Sequence, residues 1–165
     1  MSDIAIRPAT EDDADAIARI YNQAVEHTTA TFDTEIQSVE KRLEWLRSHD
    51  DPRHPVLVAE LDGAIVGWAS LSAWSDRCAY AASVEASTYV DEALLGRGIG
   101  TALSEAVLDA GTRAGVHAVL VRICTENEAS IAMSKRLGFR EVGVLHEVGY
   151  KFGRSLDVMM LEKLL

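Results

Sequence analysis

The run Leu95-Gly96-Arg97-Gly98-Ile99-Gly100-Thr101 constrains this chain more than any other. It follows an alternating, strand-like run, Ser83 to Val90, and opens a helix-patterned one, Thr101 to Ala114. Glycines at every second position of the run let the backbone turn sharply and approach a ligand without Cβ obstruction. Such a turn, feeding a helix, points free N–H groups and the positive end of the helix dipole at one spot, suited to a phosphate or pyrophosphate. A tight strand-to-helix turn also needs glycine for its own sake, so the loop alone leaves both readings open. Two familiar phosphate loops do not fit. A Walker loop ends in Gly-Lys-Ser/Thr, whereas this one ends Ile99-Gly100-Thr101. A dinucleotide fingerprint belongs on a first strand with an acidic residue about 20 positions on. This loop lies past the middle of the chain, and Val119–Arg122 supplies no acid.

At 165 residues the chain fits one domain, 1–165, with room for a proper core. Its 48% hydrophobic and 25% charged content is that of an ordinary soluble globular protein. No apolar run approaches a membrane span, and Met1-Ser2-Asp3 lacks the features of a signal peptide. Cys78 and Cys124 stand alone and read as buried free thiols in a reducing compartment. The histidines form no metal-ligand spacing, so no metal site is expected. Sixteen basic against twenty-six acidic residues give a net charge of −10, which argues against nucleic-acid binding. An anionic ligand must then be held locally, by backbone amides, Arg97, Lys135 and Arg136.

Periodicity places a strand at Ile4–Pro8 and a helix from a Thr10 N-cap, with Asp13 as its capping partner, to about Glu26. After the threonine-rich connector His27–Phe32, Ser38 caps a second helix with Val39, Leu43 and Leu46 on one face. Val56–Leu61, Asp62-Gly63 and Ala64–Leu71 read as a β-hairpin with a favoured two-residue turn. Ser83–Val90 is the next strand, followed by the glycine loop and a helix ended by Gly115. Then come a buried strand, Ala118–Ile123, a short helix from about Ala129 to a C′ glycine at Gly138, and β segments near Glu141–His146 and Leu156–Leu164 flanking Gly149–Arg154. The order is β-α-α-β-β-β-α-β-α-β-β: an α/β chain with a mixed sheet, mostly antiparallel before the glycine loop and with a βαβ unit after it.

This order, with a glycine loop after the fourth strand, resembles the GNAT superfamily of N-acetyltransferases. The family pattern Gln/Arg-x-x-Gly-x-Gly/Ala falls on Leu95 to Gly100, with Leu95 departing at the first position. A second segment, Asn127-Glu128-Ala129-Ser130 to Leu137-Gly138-Phe139, resembles the Asn-x-x-Ala/Ser…Leu-Gly-Phe stretch across the cofactor. Ile20–Val25, Thr28–Phe32, Val84-Glu85, Tyr89-Val90 and Gly149–Arg154 are similar to the phosphinothricin and methionine sulfoximine/sulfone acetyltransferases. The resemblance implies a GNAT fold and a cytoplasmic homodimer with Tyr150 and Lys151 in its dimer-contact segment. It also implies transfer of the acetyl group of acetyl-CoA to the α-amino group of a small amino acid or analogue, without a metal.

Glu85 shares a strand face with Ser87 and Tyr89. A glutamate there is ordinarily a solvent-facing carboxylate; its place in Val-Glu-x-x-x-Tyr-Val matches the base proposed for the acetyltransferases it resembles, and the resemblance implies that it removes a proton from the acceptor ammonium. The resemblance gives backbone groups of Thr88, Tyr89 and Val90 to the pantetheine arm and Gly96, Arg97, Gly98, Ile99, Gly100 and Thr101 to the pyrophosphate. For Arg97 the ordinary reading is an exposed loop side chain, and for Asn127 a helix cap. The resemblance makes Asn127 a cofactor or active-site hydrogen-bonder. Ser134 stands where many relatives carry Tyr or His near the sulfur; serine is a poor acid for a thiolate, so it orients the sulfur or solvent supplies the proton. Arg77 is ordinarily a loop arginine without a partner; it matches a subfamily arginine, and the resemblance implies that it holds the substrate carboxylate, with Tyr80 and Phe32 walling a pocket widened by Ala82, small where close relatives carry an aromatic. Neither cysteine has a neighbouring His in a recognisable motif, so direct attack in a ternary complex is expected.

Two rivals remain: a GNAT acting on a protein N-terminus, polyamine or aminoglycoside, and an acyl-CoA-binding module without turnover.

Overall fold

A computed structural model describes residues 3–165; the Met1-Ser2 start of the terminus discussed above lies outside them. The order of elements matches the sequence reading. β1 (Ala5–Pro8) is followed by α1 (Ala14–His27), α2 (Val39–Arg47), β2 (Val56–Leu61), β3 (Ala64–Ala73) and β4 (Ser83–Val90). Then come α3 (Ile99–Arg113), β5 (Ala118–Cys124), α4 (Glu128–Arg136), β6 (Arg140–Lys151) and β7 (Arg154–Leu164). The seven strands form one sheet in the order β1-β2-β3-β4-β5-β7-β6. Every pairing is antiparallel except β4 with β5.

The sheet carries helices on both faces, so its interior strand β3 is buried on both, from Val66 to Leu71. One face packs against α3, where Leu103 and Val107 meet Ala69, Leu71, Val84 and Val119. The other packs against α1, where Ile17, Ile20 and Tyr21 meet Val58 and Trp68. The expected Thr10–Asp13 capping pair forms, but it caps a single 3-10 turn, Glu11–Asp13, that leads into α1: the Asp13 carboxylate accepts the Thr10 N–H at 2.8 Å and also pairs with Arg7. No helix is long and apolar enough to cross a membrane among the described residues.

The structure differs from the sequence reading in three further places. The C-terminal β segments run on as one long hairpin closed by Phe152 and Gly153, both at positive φ, so most of Gly149–Arg154 is ladder rather than connection. Of the two cysteines only Cys124 is buried; Cys78 is exposed. On α2 the predicted apolar face is half-exposed, with Val39 39% exposed, and the buried residue is Arg42. The aromatic rings of Tyr21, Trp45 and Trp68 cover its guanidinium and make that burial possible.

Candidate active site

β4 pairs with β3 along its length, from Ala73↔Val84 to Gly67↔Val90. With β5 it pairs only over Ser83, Glu85 and the residue between. Past Glu85 the two strands diverge, and the N–H and C=O groups of Ala86–Val90 that face β5 have no strand partner. Two cavities meet at this fork and share Thr88, Tyr89 and Asn127 in their walls. One, of about 650 Å³, is lined by Phe32, Glu85, Ser87, Arg122 and Ser134. The other, of about 960 Å³, is lined by Val90, Gly96, Gly98, Ile99, Gly100 and Thr101.

The larger cavity has the glycine turn in its wall. Gly96 and Gly98 have φ of +77° and +81°, in the left-handed region that L side chains avoid. A Cβ on either would meet nothing within 4 Å, so backbone conformation, not crowding by the rest of the chain, demands glycine there. α3 starts at Ile99, directly after Gly98. The N–H groups of Ile99, Gly100 and Thr101 therefore fall in a first turn, which has no intrahelical acceptors. The Ile99 side chain is itself buried in the core, Val90 packs against the same core, and the Thr88 hydroxyl is bonded to Ser104 at 3.0 Å. Arg136 reaches this cavity; Arg97 is exposed and Lys135 pairs with Glu141, and neither lines it. Asn127 caps α4, its Oδ1 accepting the Ser130 N–H at 3.3 Å, while lining both cavities. Among the described residues no group of three His, Cys, Asp or Glu is arranged to hold a metal ion.

The smaller cavity is made of side chains drawn from distant parts of the chain. Glu85 is half-buried and forms a two-bond ion pair with Arg122 at 2.8 and 2.6 Å. The pair keeps the Arg122 guanidinium protonated above its ordinary range, and that guanidinium lies over the Trp74 ring at 5.8 Å. A carboxylate offers about four acceptor positions, so two remain for a proton donor in the cavity. Arg122 escaped the sequence reading, although a lone arginine in the apolar strand Ala118–Ile123 was a signal: it lies on the same strand face as Leu120, the register partner of Glu85.

The connector Thr28–Phe32 forms the opposite wall. Lys151 is buried and donates to the carbonyls of Thr28 and Thr31 at 2.7 and 2.8 Å, and more weakly to Ala24. Burial pushes this ammonium below its ordinary range. Lys151 therefore braces the wall through carbonyls of its own chain; Tyr150, its neighbour, is 71% exposed. Phe32 packs on Gly149, where a Cβ would sit 2.1 Å from the ring. Tyr21 donates to Asp33 and exchanges a bond with Thr31 at 2.8 Å, and its hydroxyl is held above the ordinary tyrosine range, chiefly by burial. Ser134 is buried on α4 and faces the same cavity as Glu85. Arg77 and Tyr80 are exposed, in and just before a single helical turn ahead of β4, and they and Ala82 line neither cavity. Among the candidates, then, Phe32, Glu85, Thr88, Tyr89, Asn127 and Ser134 converge, and Arg77, Tyr80 and Arg97 stand apart.

The family model described as "Acetyltransferase (GNAT) domain" matches residues 6–160. A phosphinothricin N-acetyltransferase of Streptomyces coelicolor is 38% identical over 98% of this chain and 96% of its own length. An L-methionine sulfoximine/L-methionine sulfone acetyltransferase of Salmonella typhimurium is 36% identical over 96% of this chain and 93% of its own. Among solved structures, a GNAT superfamily phosphinothricin acetyltransferase from Sinorhizobium meliloti, in complex with acetyl-CoA, superposes with a TM-score of 0.94 at 30% identity, covering 98% of this chain and 88% of that one. With the forked strands and the glycine turn already described, these matches establish that the chain belongs to the GNAT acetyltransferases and is an acyltransferase.

Proposed function

We propose that this enzyme moves the acetyl group of acetyl-CoA to the α-amino group of a small amino acid or analogue, of the phosphinothricin or methionine sulfoximine type. The observation that carries the reading is the fork past Glu85: the carboxylate lines one cavity, and that cavity joins the glycine-turn cavity through Thr88, Tyr89 and Asn127. A nucleotide thioester needs an anion site, an extended groove and an opening beside its carbonyl. The first-turn amides of α3 with Arg136, the free edge of β4 and the fork fit those needs in order. The names of the relatives support the acceptor class.

In this reading Glu85 accepts a proton from the acceptor ammonium, directly or through water, because only the neutral amine attacks. The amine nitrogen bonds to the thioester carbon, the C–S bond breaks, and the thiolate leaves. Ser134 orients the sulfur, and solvent returns the proton. Arg122 holds Glu85 in place while leaving it acceptor positions. Arg77 would engage the acceptor carboxylate from outside the cavity, and Arg97 the phosphates. The edge strand β6 carries exposed Val142, Leu145, Val148 and Tyr150, and the turn after it exposed Phe152, a surface we assign to a second copy in a cytoplasmic homodimer. An unpaired, apolar sheet edge needs such a cover.

Glu85→Gln keeps the shape and removes the base. In a thiol-release assay kcat/KM is expected to fall about 10²–10⁴-fold near neutral pH, with partial recovery as the pH is raised and solution supplies neutral amine. Wild-type turnover by the variant at pH 7 would exclude Glu85 as the base.

A further inference from the structure

Arg122 sits at the mouth of the fork. The β4–β5 ladder ends where Glu85 faces Leu120, and Arg122 follows two residues on, on the same strand face. Its guanidinium reaches back to the Glu85 carboxylate, Nε to Oε1 at 2.8 Å and Nη2 to Oε2 at 2.6 Å. An arginine presents two edges of this kind, Nε with Nη2 and Nη2 with Nη1. Glu85 occupies the first. On the second, Nη1 has no hydrogen-bond partner among the described residues. The Arg122 side chain is 55% exposed against 22% for Glu85, so the pair is not sealed in the core and the guanidinium stays reachable.

The charge of the cavity says what that second edge suits. Among the described residues that line the Glu85 cavity, Arg122 is the only Lys, Arg or His, set against the carboxylates of Glu85 and Asp33. Asp33 accepts from the Tyr21 hydroxyl. Arg77 and Arg97 line neither cavity, and Arg136 lines only the glycine-turn one. An ammonium entering here is drawn to Glu85. A carboxylate entering here has one attractive partner, the Arg122 fork, whose geometry matches it with two parallel bonds. A free α-amino acid carries both groups on one carbon. With its nitrogen at Glu85, its carboxylate is directed to the guanidinium that Glu85 already touches. A polyamine or a peptide N-terminus brings no carboxylate on that carbon and leaves the edge unfilled.

We propose that the Nη1–Nη2 edge of Arg122 binds the acceptor's α-carboxylate while Glu85 receives the proton of the amine, so that the Glu85–Arg122 pair as a whole recognises free α-amino acids. The inference rests on the amino-acid acceptor reading above and deepens it. Arg122 holds the carboxylate inside the cavity, and Arg77 adds an outer contact to the same group.

The test is the ratio of kcat/KM for phosphinothricin over its α-amide, in wild type, Arg122→Met and Arg77→Met, with calorimetric binding of both acceptors to the CoA-saturated protein alongside. The two acceptors share an amine and a side chain. A variant that merely loosens Glu85 therefore slows them alike and leaves the ratio where it was. Wild type is expected to favour the free amino acid at least tenfold, and Arg122→Met to bring the ratio to within about threefold of one, as loss of a charge-assisted pair of bonds requires. Phosphinothricin affinity should fall in step while that of the amide holds, and Arg77→Met should lower the ratio less. A wild-type ratio near one overturns the proposal. So does a ratio that Arg122→Met keeps within twofold of wild type, or one that only Arg77→Met abolishes. Should Arg122→Met fail to fold, Arg122→Gln decides, since it also removes the charge and the fork. If wild type acetylates no free amino acid, the parent reading fails by itself; phosphinothricin binding that weakens in Arg122→Met while amide binding holds would then uphold the carboxylate site, and binding indifferent to Arg122 would sink it.

Discussion

The two halves of the channel are built from different materials. On the glycine-loop side the chain offers main-chain amides and a free strand edge, and the side chains of Ile99, Val90 and Thr88 turn into the core or toward Ser104. On the Glu85 side it offers side chains, Glu85 from β4, Arg122 from β5 and Phe32 from the connector, with Lys151 from the end of β6 bracing the connector from behind. Backbone sites depend on conformation and tolerate many sequences. Side-chain sites depend on identity, and each member needs its own brace.

The largest structural effect is expected where a brace is broken. In Gly149→Val the new side chain must displace the Phe32 ring, which a Cβ would approach to 2.1 Å. Overpacking of this kind costs about 1–3 kcal/mol, to be read in a denaturant midpoint. Acceptor KM should rise while acetyl-CoA affinity holds; a matched loss of both would mean the halves are one mechanical unit.

Gly98→Glu attacks the other half. It forces an L side chain to φ +81° and brings negative charge to the mouth of α3. Acetyl-CoA affinity is expected to fall at least tenfold, about 1.4 kcal/mol, with acceptor preference unaltered. Unchanged binding by calorimetry would remove the loop from the cofactor site.

This division also explains what the sequence disclosed. A backbone site needs its glycines consecutive in the chain, so Leu95–Thr101 was legible at once, as were the helices by period and the Asp62-Gly63 hairpin. Arg122 and Lys151 were not, because their roles arise only when β5 meets β4 and β6 folds back on α1. Arg42 defeated the periodicity argument outright: a charged residue sits at the buried position of α2 because Trp45 of the same helix and Tyr21 and Trp68 from elsewhere cover it. Residues expected from resemblance fared unevenly for the same reason. Glu85 and Asn127 sit on regular elements, whereas Arg77 rides an exposed turn.

The smallest effect concerns pH, at a histidine bonded to Ser72 in the wall of the Glu85 cavity. His49 is bonded to Ser72 at 2.8 Å and to the Trp45 carbonyl at 2.7 Å, and burial pushes its pKa below the ordinary histidine range. The unfolded chain then binds the proton more readily than the native protein. Stability contributed by neutral His49 is complete above about pH 6.5 and declines as pH falls below it. His49→Asn should flatten that part of the melting-temperature profile, and an unaltered slope would assign it to other groups.

The central claim, that the fork serves acetyl transfer to a free amino acid, is tested most directly by competition. Wild-type enzyme with acetyl-CoA would be offered equimolar phosphinothricin, its amide, spermidine and an alanine-terminated peptide, and the acetylated products counted by mass spectrometry. The account predicts that the free amino acid takes most of the acetyl groups and exceeds its amide at least tenfold, as loss of a charge-assisted bond worth about 1.5–3 kcal/mol requires. Preferential acetylation of spermidine or the peptide would contradict it.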